Sequence, residues 1–368
     1  MRIGTMTSGM SIPFMANVLV LILVLFGLFS WAYPQTSVSD LATPITIDST
    51  PIPAFQPDTP SKSRFGSLEF RGGLVLASAH KSFGGISALV IHSDGAHFLA
   101  LSDRASWIRG RILYDHNRPA GIADASAAPV LDEYGKPAPQ WDTESIAEDG
   151  HTLYVGLERI NRIFSFQFDW RSFPRHARTV SAPPELKDLP FNQGLEGMVF
   201  IPKNHRLAGT LIAFSEKGLT TEGNLKSFLI GGRTPGLFSV KRTDGYDISD
   251  SALLPGGDIL ILERQYSLQR GVQLRIRRIP LDEIHPGALV EGPAVIEADL
   301  RCQIDNMEAM SVHQNRAGEV VLTLMSDDNF SPIQRTILLQ FVFKGNQTPP
   351  SLSPTFLFRP KSLNRIKA

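Results

Sequence analysis

The sequence predicts an all-β protein, a β-propeller built from four-stranded repeats, on three observations. Between Arg64 and about Phe343, short apolar runs alternate with turn signals, and no long amphipathic helical pattern interrupts them. A hairpin that opens on an acid and returns to another acid recurs along that stretch. The spacing between recurrences leaves room for two further strands, and four antiparallel strands make one propeller blade. Five repeats are visible, or six if a degenerate one is present.

Taken in order, the chain begins with a basic residue, Arg2, and a polar lead. An apolar run follows from about Phe14 to Tyr33. Ser30-Trp31-Ala32 supplies the small-x-small pattern of a signal peptidase site, and the run is also long enough to span a bilayer if uncut. Residues 1–33 are therefore expected to act as a signal peptide or N-terminal membrane anchor, placing the protein outside the cytoplasm. Residues 34–63 are rich in Pro, Ser and Thr and read as a linker. Residues 64–343 form the propeller domain, and 344–368 return to loop composition as a C-terminal tail.

The repeats align on the first-strand positions Ser87, Glu144, Glu196, Asp250 and Glu308, spaced 57, 52, 54 and 58 residues apart. The returning strands end at Asp103, Glu158, Glu216, Glu263 and Asp327-Asp328. Turns such as Asp94-Gly95 and Asp149-Gly150 join the two strands. The segment from Ser67 to Ala77 precedes the first hairpin as an outer strand would, and is expected to close the ring onto the last blade. In a propeller the innermost strand lines the channel, so both acid series should converge at one mouth.

Composition excludes several functions. A formal net charge of zero gives no electrostatic case for nucleic acid. The single cysteine, Cys302, excludes an internal disulfide, and neither His nor Cys spacing favours zinc. There is no Gly-x-Ser-x-Gly elbow, P-loop or dinucleotide fingerprint. The chain is expected to be a monomer.

Carboxylates crowded at one mouth repel unless something neutralises them. One neutraliser is a hard divalent cation, Ca²⁺ above all, which takes several oxygen ligands. The other is basic side chains. Four returning strands follow their acid with a cation (Arg104, Arg159, Lys217, Arg264), whereas the fifth has Asp328. That asymmetry makes Asp327-Asp328-Asn329 the expected metal-binding segment, and Glu196 and Glu308 from the first-strand series are expected to complete the ligand set. Structural ion pairs between blades are the competing reading. Adjacent strand residues face opposite ways, so if Glu263 faces the channel, Arg264 ties blade to blade instead.

The set Gly84-Gly85-Ile86-Ser87, Asp142-Thr143-Glu144, Asn192-Gln193-Gly194-Leu195-Glu196, Leu262-Glu263-Arg264 and Ser326-Asp327-Asp328-Asn329 resembles the phytase-like family described as having esterase-like activity. The resemblance covers about residues 65 to 343. It implies an exported propeller whose Asp and Glu residues serve phosphoesterase or phosphodiesterase chemistry on a small-molecule ester or phosphoester. Within that expectation Glu144, Glu216 and Glu263 form the catalytic set, and Arg104, Arg159, Lys217 and Arg264 hold substrate oxygens. A Ca²⁺-dependent lactonase or carboxylesterase, and a non-catalytic binding propeller of the cell envelope, are the alternatives.

Overall fold

A computed structural model describes residues 41–203 and 205–344 of the chain. Among these residues there are five predominantly antiparallel sheets, each begun by an inner strand. The inner strands are Ile86–Ile91, Thr143–Asp149, Leu195–Phe200, Asp247–Leu253 and Asn306–Gln314, which number blades 1 to 5. Each inner strand packs against the inner strand of the next blade, and the fifth packs against the first, so the ring closes. The fold is a five-bladed β-propeller, with no sixth blade among the described residues.

Closure follows the expected route. Leu68–Ala77 pairs antiparallel with Thr336–Phe343, the third strand of blade 5, so the last blade is completed by the start of the domain. The stretch read as a linker is corrected over its described part. Thr43–Pro44 pairs with the outer strand Arg118–Pro129 of blade 1, and Asp48–Ile52 pairs with Leu68–Ala77 of blade 5. Both are edge strands, where a proline lacking its N–H leaves no ladder bond unmade. Proline-rich composition therefore concealed strands rather than excluding them. The apolar run at residues 14–33 and the tail from residue 345 lie outside the described residues. No described helix is long and apolar enough to cross a membrane.

The core is divided among the blade interfaces. Five buried apolar clusters lie between successive blades, and strand alternation builds them. In the second strand of blade 4, Ile259 and Ile261 pack toward blade 3, while Leu260 and Leu262 pack toward blade 5. The same alternation continues to the strand's end. Glu263 falls on the blade 3 side and Arg264 on the blade 5 side, and this decides the layout of the mouth.

Trp107 is fully buried between blades 1 and 2, and Trp141 stacks on Phe164 at 4.5 Å, so both serve blade packing.

Candidate functional site at the channel mouth

Every inner strand carries a β-bulge near its start, where one residue is left without a partner on the second strand. The bulged residues are Ser87, Glu144, Glu196, Ser249 and Glu308. A bulge re-aims its side chain out of the normal alternation. Blade 4 departs by one position from the sequence alignment, because Ser249 and not Asp250 occupies the bulge. Ser87 donates to the Thr143 carbonyl at 2.6 Å and Ser249 to the Met307 carbonyl at 3.1 Å. A serine at the bulge thus ties its blade to the residue preceding the next blade's bulge, whereas a glutamate enters the mouth. Asp250 is buried and accepts N–H bonds from Ser251 (2.7 Å) and Met310 (2.6 Å), a bridge from blade 4 to blade 5.

Two residues before each bulge, the partners across the hairpin are Asp103, Glu158, Glu216, Arg264 and Asp327. Arg264 therefore occupies the place that a carboxylate takes in the other four blades. Its guanidinium bonds Glu308, Asn306 Oδ1 (2.6 Å) and Glu216 Oε1 (3.4 Å). The charges of Glu196, Glu216 and Glu144 hold it protonated against its burial.

Glu263 is removed from the catalytic set. It is fully buried on the other face, held by Arg275 Nε at 2.7 Å and by Arg277 Nε and Nη2 at 2.8 and 2.5 Å. Strand alternation is the reason: one position of register exchanges acid and cation between channel and interior.

The remaining acids form two overlapping triads. The carboxylate oxygens of Asp142, Glu144 and Glu158 lie within 4.8 Å of one another, as do those of Glu158, Glu196 and Glu216. All five residues are buried, and Glu158 belongs to both groups. Burial pushes the Glu158 carboxyl up to about 7, helped by the charges of Asp142 and Glu216 and opposed by the Gly194 N–H at 3.1 Å. Gly194 is required there, because a Cβ would sit 2.2 Å from Asn161 Oδ1 and 3.2 Å from Glu158 Cγ. Glu144 and Glu196 are also raised well above the usual carboxylate range, first by burial. Glu196, Asp142 and Glu158 add to it for Glu144; Glu216 and Glu158 do so for Glu196, against the pull of Arg264. Burial and the neighbouring Asp103 and Asp328 charges likewise bring Asp327 to about 7, and burial with the Asp142 charge brings Asp103 to about 6.

The expected metal segment of blade 5 divides. Asp327 is buried at the mouth, its Oδ1 bonded by the Asn329 N–H at 2.6 Å. Asp328 accepts from the N–H groups of Gly85 (2.9 Å) and Phe330 (3.0 Å) and from the Thr336 hydroxyl (3.0 Å). It fastens the lead-in of blade 1 to blade 5, and its extra charge is used there. Asn329 is exposed in the left-handed region, φ 50°, and contributes its backbone.

The other three cations ring the mouth. Arg159 pairs with Asp142 at 2.5 Å, and Lys217 with Glu216 at 3.2 Å and Asp247 at 3.5 Å. Exposed Arg104 lies 3.5 Å above the Phe330 ring. Asp142 was not among the expected site residues. Its signal was an acid two residues before Glu144, just ahead of the strand Thr143–Asp149, where the bulge brings the two carboxylates together.

A family profile described as "Phytase-like: Esterase-like activity of phytase" matches residues 81–330. The chain belongs to the phytase-like family. The match spans the inner hairpins of all five blades, including each bulge and both triads. Comparison with curated proteins returns no match. Among solved structures, the glutaminyl cyclase of Myxococcus xanthus is similar at 10% identity and TM-score 0.39, over 75% of this chain and 97% of that one. The PQQ-bound aldose sugar dehydrogenase of Streptomyces coelicolor is similar at 12% identity and TM-score 0.40, over 76% and 99%. Likeness at this level carries no argument about this phytase-like chain.

Two measurements follow from the charge layout. Glu263→Gln leaves buried Arg277 without its counter-charge and Arg275 with only the exposed Asp244. It is expected to lower stability by about 3–5 kcal/mol in urea unfolding; a loss under about 1 kcal/mol would show the triad to be dispensable. Carboxyls raised in the fold stabilise it fully below their unfolded value near 4.5. That contribution is lost as pH rises through about 7. In EDTA, the melting temperature should therefore fall between pH 5 and pH 8, and Glu158→Gln should flatten the fall. A melting temperature that holds or rises over that range contradicts the assignment.

Proposed function

We propose that the protein is an exported, metal-dependent hydrolase of small phosphoesters, acting at the carboxylate mouth of the propeller. The observation that supports this most is Glu158, shared by two buried carboxylate triads whose oxygens lie within 4.8 Å of one another. The donor set suits a hard divalent cation such as Ca²⁺, since every ligand in both triads is a carboxylate oxygen. The crowding also leaves negative charge that Arg264, Arg159 and Lys217 do not fully match. A bound cation would polarise a phosphoryl oxygen and offset the charge gathering on it in the transition state.

The chain's own residues have separable tasks. Asp142, Glu144, Glu158, Glu196 and Glu216 would hold the cation. Glu158, raised to about 7 in the ion-free site, would give up its proton as the cation binds. Arg159, Lys217 and Arg104, at the rim, would orient the anionic substrate. Arg264 fixes Glu308 and Asn306 and stops the ring of acids from opening. In this reading Glu308 and Asp327 border the site as neighbours of Arg264.

The full chain would be assayed on aryl phosphate monoesters, aryl phosphate diesters and aryl carboxylic esters, with EDTA and after Ca²⁺ is restored. Phosphoester turnover that is abolished by EDTA and recovered with Ca²⁺ is expected, with Glu158→Gln lowering turnover by about 10²-fold or more. Turnover confined to acyl esters or lactones moves the reading to a lactonase or carboxylesterase. No turnover by folded protein moves it to a binding propeller.

A further inference from the structure

A second group of ligating side chains lies far from the mouth along the inner strand of blade 1. That strand starts at the Ser87 bulge and ends at Ile91, so the turn that follows lies at the opposite face of the propeller. The turn reads His92-Ser93-Asp94-Gly95-Ala96-His97. Asp94 Oδ1 accepts the N–H groups of Ala96 at 2.8 Å and His97 at 3.0 Å, which fixes the carboxylate. Oδ2 then faces two imidazoles through the same ring atom, with His92 Nδ1 at 3.0 Å and His97 Nδ1 at 2.6 Å. The His92 ring is seated against Trp170, centroids 4.9 Å apart.

His92 Nδ1 lies 3.3 Å from the Asp94 N–H and 3.0 Å from Asp94 Oδ2, and it cannot accept from the first while donating to the second. With Nδ1 bare, a cation between it and Oδ2 would make a bond to each, and His97 Nδ1 would supply a third.

We infer that this turn is a binding site for a borderline first-row divalent cation of the zinc class, held by His92 Nδ1, Asp94 Oδ2 and His97 Nδ1. One ligand atom from each of the three residues already lies within 4.8 Å of the other two. Two imidazoles and one carboxylate favour zinc-class ions over calcium, the reverse of the all-oxygen mouth. Three protein ligands leave a fourth tetrahedral position for water or an outside group. The site therefore differs from the mouth in location, ligand chemistry and preferred ion.

The test is Zn²⁺ titration of the full chain by calorimetry, comparing three proteins. His92→Asn with His97→Asn retains an amide N–H near each Nδ1 position, and so keeps a hydrogen bond to Asp94 while losing the imidazole ligands. Glu158→Gln with Glu196→Gln weakens the mouth and leaves the turn intact. The paired Asn variant is expected to weaken one Zn²⁺ equivalent by more than the roughly 10- to 100-fold that losing an outer-sphere partner costs. The paired Gln variant should keep that equivalent. Unchanged Zn²⁺ binding in the Asn variant, or loss only in the Gln variant, overturns the proposal. A readout on unmodified protein guards against a folding defect: one equivalent of Cu²⁺ should give an electron paramagnetic resonance spectrum with coupling to imidazole nitrogen. An oxygen-only spectrum overturns the site.

Discussion

The mouth of this propeller depends on one backbone device, the bulge near the start of each inner strand. Without it, residues two apart would stay strictly on one face, and the acids of neighbouring blades would be buried between sheets. The bulge turns one side chain per blade out of that pattern. Where the residue is serine, it binds the next blade's backbone; Glu144 and Glu196 join the carboxylate cluster, and Glu308 takes the Arg264 guanidinium beside it. One local irregularity thus serves both blade-to-blade cohesion and the assembly of the site.

Charge balance follows from that geometry. Glu144, Glu158 and Glu196, with Asp142 and Glu216 beside them, share a buried region with Arg264 as its interior cation. Arg159 and Lys217 reach Asp142 and Glu216 from the rim, but Glu144, Glu158 and Glu196 have only Arg264 nearby, and burial together with their neighbours' charges raises all three. Elsewhere the same fold pairs its charges closely. Glu263 has two arginines, and Asp328 has three hydrogen-bond donors. Five carboxyls crowded at one location, with fewer cations than acids, are the physical case for a ligand there.

The blade count, the closing strand and the convergence of acids were legible in the sequence, because alternation and hairpin turns are local signals. The sites of error were equally local. A bulge shifts register without any composition signal, so Asp250 stood in for Ser249 and Glu263 for Arg264. Asp328 stood out in the sequence as the one returning-strand acid followed by another acid, but in the observed register blade 4 departs as well, with Arg264 in the acid's place and Gln265 after it. The three hydrogen bonds that Asp328 accepts come from Gly85, distant in sequence, and from Phe330 and Thr336 within its own blade. The edge strands Thr43–Pro44 and Asp48–Ile52 read as linker because proline is tolerated only where the ladder ends.

The central claim is that the buried triads exchange protons for a divalent cation. Calorimetric titration of Ca²⁺ at pH 6.5, repeated in buffers of different ionisation enthalpy, measures the protons released per ion bound. Release of about one proton or more per Ca²⁺, lost in Glu158→Gln, is the result this account predicts. Ca²⁺ binding with no proton release, or no binding by folded protein, would contradict it.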